Sequence, residues 1–402
     1  MKTTSRLSIT LIIFTTTLNA QADWTLLNYI EANNNIASSA QKNIDVMKAI
    51  GSTKNVNILV QHSEPTKAHR YRISQDGSAQ NAPFNKEMGV SPEQELVNAI
   101  QWAHTNYPAK HFMLILWSHG TGIINEEKNK KIYAQHRQKY THTRAILYNY
   151  HHETFLSHQQ LENALKRIKT IRGKNIDIIG MDACLMGSLE VAYQIKDYAD
   201  YFIASENVEL TPGWLYAGFL RRLVEQNSMT PVQLMNIIVS SFSSANTTRS
   251  ARYTLSGTKL SNLNDLPEKI NAVIEAFYAS QEIVGTDIEK VLYTAYAATN
   301  QFDKLGYLDA HHLFFNMAYG IEKFAKKRTA HDQEILKNLA IKLHTLCSSI
   351  RKAVVVNKTG ILYKKSKGLT IYYPKKSLHP SYRSTMFAQD TFWLSFIQEH
   401  RP

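Results

Sequence analysis

A histidine and a cysteine each follow an apolar run in this 402-residue chain. His119 lies in LILWSHGTG (114–122), between apolar residues and two glycines. Cys184 lies in IDIIGMDACLMGSLE (176–190), two residues after Asp182. A thiol can attack a carbonyl carbon when an imidazole accepts or relays its proton, and backbone N–H groups can stabilise the oxyanion. The residue types therefore indicate nucleophilic catalysis, although a core histidine and a buried structural thiol would share this spacing.

The surroundings of Cys184 favour a reactive thiol. A helix is predicted to begin near Gly187, so the thiol would lie close to the positive end of the helix dipole. With an imidazole nearby, this field is expected to lower the pKa of Cys184. The other cysteine, Cys347, lies in an amphipathic helix pattern that predicts core packing. Whether the two cysteines pair depends on a distance that the sequence does not contain.

The apolar runs before both residues are typical of parallel strands that are buried on both faces. KHFMLILW (110–117) and NIDIIG (175–180) are such runs, and a helix is predicted between them over 157–173. This alternation predicts an α/β fold with a mostly parallel sheet flanked by helices on both faces. Sites in such sheets form at the carboxyl ends of strands, where His119 and Cys184 lie.

The pattern changes at about residue 225, after which helical periodicity dominates. We therefore predict a catalytic core over 23–225 and a largely helical C-terminal region over 226–402. Two strands of that region, at about 250–257 and 367–374, are predicted to return to the core. An edge hairpin is predicted near the start of the core, from NVNILVQH (55–62) and AHRYRIS (68–74).

Residues 1–22 have the anatomy of a secretory signal peptide. Lys2 and Arg6 precede an apolar run, and Ala20 and Ala22 form a small-x-small cleavage signal. The run is shorter than the roughly 20 residues of a membrane span. We therefore predict an exported protein, periplasmic or secreted, with no transmembrane span. A short membrane anchor or a buried first helix is the alternative.

The composition is that of a globular protein with a basic surface. Hydrophobic residues make up 44% and charged residues 20%, which argues against a disordered chain or a coiled coil. Removal of Lys2 and Arg6 with the signal lowers the net charge from +13 to +11. The basic residues are scattered and no nucleic-acid motif accompanies them, so no nucleic-acid partner is predicted. No metal site is predicted, because the clustered histidines do not match a zinc motif: His136, His142, His151, His152 and His158.

At the two candidate residues the sequence resembles a known family. WSHGTG and GMDACLMGSLEVAYQIKDYADYFIASE resemble the clostripain family of cysteine peptidases (family C11, clan CD), and so do WTLLNYIEANNNI, TLSGTKLSNL and KGLTIYYP. The resemblance implies a caspase-like fold and an endopeptidase with a His–Cys dyad, in which His119 is the catalytic histidine and Cys184 the nucleophile. It implies that the backbone N–H groups of Gly120 and Cys184 bind the oxyanion. A peptide or protein is then the substrate and no cofactor is required, with calcium left open by resemblance alone.

The specificity pocket implied by the resemblance is incomplete in the sequence. The family is generally selective for Arg or Lys at the P1 position, and Asp182 matches one of its pocket acids. A second acid is common where ENVELTPGWLY (206–216) has Pro212. Glu206 or Glu209 could replace this second acid, unless both face solvent. A preference for a small or hydrophobic P1 residue is therefore the alternative. The predicted substrate-binding residues are Asp182, Glu206, Glu209 and Trp214.

The segment 123–145 is polar and basic and predicts a long surface loop. The resemblance implies that a zymogen cuts itself in this loop, and an uncut loop is the alternative. The candidate cleavage sites are Lys128, Lys130, Lys131, Arg137, Lys139 and Arg144.

A rival interpretation is a non-catalytic surface-binding protein on the same fold. The basic charge and Pro212 favour it, whereas the presence of both His119 and Cys184 in intact motifs argues against it. No sequence feature indicates the oligomeric state.

Overall fold

A large sheet forms the centre of the part of the chain that the structure describes. A computed structural model describes residues 21–64, 67–84, 88–124 and 145–402. From one edge to the other, the strands of this nine-stranded sheet are β13 (Val354–Thr359), β10 (Thr254–Lys259), β9 (Ala199–Ala204), β8 (Ile176–Asp182), β5 (Ala109–Trp117), β1 (Ala22–Ile30), β2 (Val56–Ser63), β3 (Ala68–Ile73) and β4 (Ala79–Asn81).

The five central strands are parallel, and both edges are antiparallel. β1 pairs in parallel with β2 and β5, and β8 pairs in parallel with β5 and β9. β2 and β3 form the predicted antiparallel hairpin, and β10 joins β9 to β13 at the opposite edge. The central strands read as apolar runs because both of their faces are covered.

Helices cover both faces of the sheet. The successive side chains of β1 alternate between the two faces: Trp24 and Leu26 belong to one hydrophobic cluster, and Leu27 and Tyr29 to the other. The first cluster includes residues of α1 (Ala37–Ile50), α5 (Tyr216–Glu225) and α6 (Pro231–Asn246). The second includes residues of α2 (Pro92–Asn106), α3 (His158–Arg172) and α4 (Leu189–Ile195). The predicted fold class is therefore confirmed.

The C-terminal part of the chain is largely helical and also contributes strands. Its described helices are α7 (Leu266–Val284), α8 (Asp287–Ala298), α9 (Ala310–Ala325), α10 (Ala330–Ala353), α11 (Met386–Asp390) and α12 (Trp393–Glu399). β10 lies near the strand predicted at 250–257 and joins the large sheet, as does β13, which the sequence pattern did not indicate.

Two small sheets lie beside the large one. β14 (Thr370–Tyr372) falls in the strand predicted at 367–374, but it pairs with β12 (Tyr307–Asp309) and, through it, with β11 (Gln301–Phe302). A bridge between Ser188 and Thr370 connects this sheet to the segment after β8. The second small sheet is the hairpin of β6 (Ile146–Asn149) and β7 (Thr154–Leu156).

Two predictions fall on residues outside the described part. Residues 1–20 of the predicted signal and 125–144 of the basic segment are not described, and the latter include the candidate cleavage sites Lys128, Lys130, Lys131, Arg137, Lys139 and Arg144. Within the described ranges, none of the helices combines the length and the apolar character needed to cross a membrane.

Candidate active site

The register of the central strands brings His119 and Cys184 to the same edge of the sheet. Trp117 of β5 lies opposite Asp182 of β8, and each candidate residue follows two positions later. Because the two strands are parallel, their carboxyl ends meet at one edge. The chains approach closely there: a Cβ atom on Gly120 would lie 2.6 Å from the carbonyl oxygen of Cys184. A residue with a side chain would not fit at position 120 without a backbone shift.

Asn35 and Tyr150 hold the imidazole of His119. The Nε2 atom lies 2.6 Å from Oδ1 of Asn35, and the Tyr150 ring stacks on the imidazole with centroids 6.5 Å apart. The Tyr150 hydroxyl donates to the same Oδ1 atom at 2.8 Å. Because an amide oxygen accepts, this contact assigns a proton to Nε2 of His119. Sequence reasoning missed both residues, although Asn35 follows β1, a strand adjacent to β5.

A buried network holds the segment that carries Asn35. The backbone N–H of Asn33 donates to the Glu31 carboxylate at 3.0 Å and to the Ser63 hydroxyl at 3.1 Å. The Asn34 amide donates to the Glu31 carbonyl at 3.0 Å. Burial raises the pKa of Glu31 to about 7, against the effect of hydrogen bonds to its carboxylate from the Ser63 hydroxyl and the Asn33 N–H. The segment that carries Asn35 is therefore held by Glu31, which directly follows β1, and by Ser63 at the end of β2.

The thiol of Cys184 is half-buried and packs against the segment after β9. The Glu209 N–H donates to Sγ at 3.3 Å. Burial raises the pKa of Cys184 to about 11, so the expected lowering is wrong. The helix after Cys184 begins only at Leu189, capped by Ser188, and desolvation outweighs its field. Both cysteines are free, and Cys347 packs in the core as predicted.

A pair of buried acids lies beside the thiol. Oδ2 of Asp182 accepts hydrogen bonds from the Trp214 N–H at 3.2 Å and from the Tyr216 hydroxyl at 3.0 Å. The Glu209 carboxyl adjoins Asp182, and both of its oxygens are shielded from solvent. Gly213 has a φ of 98°, and a Cβ atom there would lie 2.4 Å from Oδ1 of Asp182.

Burial controls the protonation of this pair. It raises the pKa of Asp182 to about 6. It also raises the pKa of the Glu209 carboxyl well above its usual range, together with the nearby charges of Asp182 and Cys184. Two carboxyl groups in contact cannot both ionise cheaply unless a positive charge joins them. The arrangement is suited to receive a cationic group.

A comparison with known families identifies the chain. The model of the clostripain family matches residues 28–398. The chain belongs to the clostripain family. The family resemblance of the sequence motifs is thereby confirmed. Clostripain of Hathewaya histolytica is 25% identical to this clostripain-family chain over 233 residues, which are 50% of this chain and 42% of that protein.

Solved structures have the same fold as this clostripain-family chain. A secreted C11 cysteine protease from Bacteroides thetaiotaomicron, in complex with an irreversible peptide inhibitor, has a TM-score of 0.66 at 18% identity. The match covers 93% of this chain and 100% of that one. An inactive zymogen C11 protease from Parabacteroides distasonis has a TM-score of 0.60 at 19% identity, covering 92% and 99% of the two chains.

Of the remaining predicted pocket residues of this clostripain-family chain, Glu206 lies apart from the acid pair, whereas Trp214 contacts it. Glu206 is buried, accepts a hydrogen bond from the Gly368 N–H at 3.1 Å and adjoins Asp309 of β12, so it connects the large sheet to the small one. The Trp214 ring packs beneath β8, where a Cβ atom on Gly180 would lie 2.6 Å from it. The structure therefore brings together Asp182, Cys184 and Glu209, while Trp214 contributes its backbone N–H.

Proposed function

We propose that the protein is an exported cysteine endopeptidase that cleaves peptide bonds after Arg or Lys. The observation that carries the proposal is the contact of the Asp182 and Glu209 carboxyls beside the Cys184 thiol. A guanidinium or ammonium group supplies the positive charge that this pair lacks, and a guanidinium can bind both carboxylates. Glu209 replaces the acid that the sequence lacks at Pro212.

The chemistry follows from the thiol and the imidazole. Sγ of Cys184 attacks the scissile carbonyl carbon and forms a C–S bond while its proton passes to His119. The N–H groups of Gly120 and Cys184 donate to the oxyanion. His119 then protonates the leaving amine, and the C–N bond breaks to leave an acyl-enzyme. Water gives a proton to His119 and attacks the acyl carbon. The C–S bond then breaks, His119 returns the proton to Sγ, and the new carboxyl end is released.

The Cys184 thiol carries its proton before the substrate binds. With a pKa of about 11, Cys184 is a thiol rather than a thiolate near neutral pH. Its proton must therefore move as the substrate binds, and a P1 cation between Asp182 and Glu209 would favour the thiolate by its charge. Substrate binding and activation of the nucleophile are coupled in this proposal.

Export and self-processing are part of the proposal. The pattern of residues 1–22 supports export, and one similar structure is described as that of a secreted protease. The basic residues of 123–145 support self-cleavage, because a pocket for Arg or Lys would accept them as P1 residues. Another similar structure is described as an inactive zymogen. We propose that this chemistry requires no cofactor.

The proposal is tested with a mixed-sequence peptide library analysed by mass spectrometry. The mature protein and its Cys184→Ala variant are incubated with the library, with and without added calcium. We expect the unmodified protein alone to cleave, with Arg or Lys at P1. Cleavage by Cys184→Ala would contradict the role of the thiol. No cleavage by either protein would favour the non-catalytic binding protein.

The pocket is tested separately with Asp182→Asn and Glu209→Gln. Each variant is expected to lose about 100-fold or more in kcat/KM for P1-Arg substrates, because it leaves the buried cation with one carboxylate. Cleavage of P1-norleucine substrates should change far less. Glu268→Gln, at an exposed position of α7, is the matched control. Equal losses for both substrates would show that the acids do not select the P1 residue.

A further inference from the structure

The edge hairpin of β2 and β3 places three metal-binding side chains together. His62 of β2 lies directly opposite His69 of β3 in the antiparallel register. Glu64 follows His62 by two residues, so its side chain leaves the strand on the same face. Directly opposed residues on antiparallel strands have Cβ atoms about 4.5–5.5 Å apart, which is close enough for two imidazoles to share one ion.

Small side-chain rotations would bring one ligand atom of each residue to a single metal ion. One ligand atom from each residue lies within 4.8 Å of the other two. Nε2 of His69 is 3.7 Å from Oε1 of Glu64, and the rings of His62 and His69 stack with centroids 4.8 Å apart. Among the described residues, this is the one group of three or more His, Cys, Asp or Glu side chains with ligand atoms so close.

His62 supplies an independent observation. It is 5% exposed, and its ring stacks on the His69 ring and meets the Tyr71 ring edge-on with centroids 5.8 Å apart. These packing contacts hold the imidazole of His62 beside that of His69. A neutral imidazole binds a metal ion through the lone pair of a ring nitrogen.

We propose that His62, Glu64 and His69 form a zinc site on the β2–β3 hairpin. Two imidazole nitrogens and one carboxylate oxygen are ligands that Zn²⁺ accepts at about 2.0–2.2 Å, with water in the remaining position. Imidazole ligands favour Zn²⁺ over Ca²⁺, which takes oxygen ligands in larger number. This site is separate from the Cys184 site and does not depend on the proposed peptidase activity.

The site lies next to the network that carries Asn35. Ser63, between His62 and Glu64, accepts hydrogen bonds from the Ala32 N–H at 2.9 Å and the Asn33 N–H at 3.1 Å. A metal ion would hold the residues on both sides of Ser63 and tie the end of β2 to β3. The ion would thus stabilise the anchor of the segment in which Asn35 contacts His119.

The test is a calorimetric titration of ZnCl2 into tag-free, metal-stripped mature protein. The Cys184→Ala background removes the thiol of the other site as a zinc ligand. We expect one site per chain, a rise in Tm with zinc, and Co²⁺ absorption bands of a low-coordinate site. His69→Asn should weaken zinc binding about 100-fold, and Glu64→Gln at least tenfold. Mutation of residues that merely hydrogen-bond to metal ligands already lowers metal affinity about 10- to 100-fold, so loss of a ligand should cost at least as much.

The controls distinguish zinc binding at these three residues from nonspecific binding to other histidines. His151→Asn removes an exposed histidine of the β6–β7 turn and should leave zinc affinity and the Tm rise unchanged. His69 and Glu64 are partly exposed, so their variants should fold, with the metal-free Tm checked first. The proposal is overturned if His69→Asn binds zinc as tightly as His151→Asn, or if zinc leaves the Tm of the background protein unchanged.

Discussion

The imidazole of His119 is oriented by a residue far away in the chain. Asn35 accepts from Nε2 at 2.6 Å and from the Tyr150 hydroxyl at 2.8 Å. A hydrogen bond to one ring nitrogen selects the tautomer and the ring angle, and these decide whether the other nitrogen can exchange protons with a thiol and an amine. Asn35 is thus a positioning residue in the proposed mechanism.

Replacement of Asn35 tests this role. Asn35→Ala should lower kcat about 10- to 100-fold with little change in KM. A positioned acid or base contributes about 10²–10⁴-fold to the rate, and loss of its orientation should remove part of that factor. Asn35→Gln should restore less than half of the loss, because its oxygen is displaced by a methylene group. Asn98→Ala, on the exposed face of α2, is the control. A rise in KM or a fall in Tm without a loss of kcat would contradict a positioning role.

The acid pair predicts a pH dependence that is specific to basic substrates. Burial raises the pKa of Asp182 to about 6, so its carboxylate is charged above pH 6 and neutral below it. The ratio of kcat/KM for P1-Arg over P1-norleucine substrates should therefore fall as the pH drops through 6, since kcat/KM reports the free enzyme. Pre-steady-state or initial-rate assays from pH 5 to 8 measure it. A ratio that is constant over this range would contradict the prediction.

At the scale of elements, the site depends on β5 and β8, which are neighbours in the sheet but are separated in the sequence by the basic segment 123–145. β5 ends before residues 125–144 and β8 follows them, yet the two strands pair along the sheet. Both ends of the segment are also held: the Ile123 N–H donates to the Tyr307 hydroxyl at 2.9 Å, and Ile146 pairs with Leu156. Cleavage between these ends leaves the strand pairing intact.

Processing should therefore produce two chains that stay together. We expect two fragments on a denaturing gel and one particle of unchanged mass in size-exclusion chromatography. A variant with Gln at Lys128, Lys130, Lys131, Arg137, Lys139 and Arg144 should stay a single chain, as should Cys184→Ala. Fragments in the Cys184→Ala sample would indicate another protease, and separation of the fragments without denaturant would contradict the strand-pairing argument.

At the scale of the molecule, buried acids join the large sheet to the C-terminal region. Glu190 of α4 is fully buried and accepts a hydrogen bond from the Tyr372 N–H of β14 at 2.8 Å. Glu206 and Asp309 meet at the same boundary, where burial raises the pKa of both carboxyls. These contacts connect parts of the chain more than 100 residues apart.

Glu190 makes stability depend on pH. Burial raises its pKa to about 7, above the roughly 4.3 of an unfolded glutamate. The folded state then binds the proton more tightly than the unfolded state does. The stability that the protonated Glu190 contributes is fully present below about pH 4.3 and is lost as the pH rises to 7. Between pH 5 and 8, the free energy of unfolding relative to Glu190→Gln should fall by roughly 2–3 kcal/mol.

Urea unfolding measures this difference, in the Cys184→Ala background that removes the proposed nucleophile. The Glu190→Gln variant keeps an acceptor for the Tyr372 N–H and lacks the titrating proton. Glu268→Gln is the control and should run parallel to its parent at both pH values. A constant difference between the parent and Glu190→Gln would mean that Glu190 is ionised in the folded protein throughout this range.

The sequence by itself determined the fold class and the family. Apolar runs such as 110–117 are local signals of strands buried on both faces, and the motifs around His119 and Cys184 are continuous stretches of sequence. The alternation of strand and helix then favoured a mostly parallel sheet, because a helix between two strands provides the long crossover that parallel strands need. These inferences needed no knowledge of which distant residues meet.

Only the tertiary structure decided which side chains share a site. Asn35 reaches His119, Glu209 reaches Asp182, and His62 meets His69 through strand order, register and loop path, none of which has a local signal. A shift of one residue in the register of either strand would turn His62 or His69 to the opposite face of the sheet. The pKa of Cys184 also depended on the structure, because burial is a property of the packed molecule and outweighed the helix field expected from the sequence.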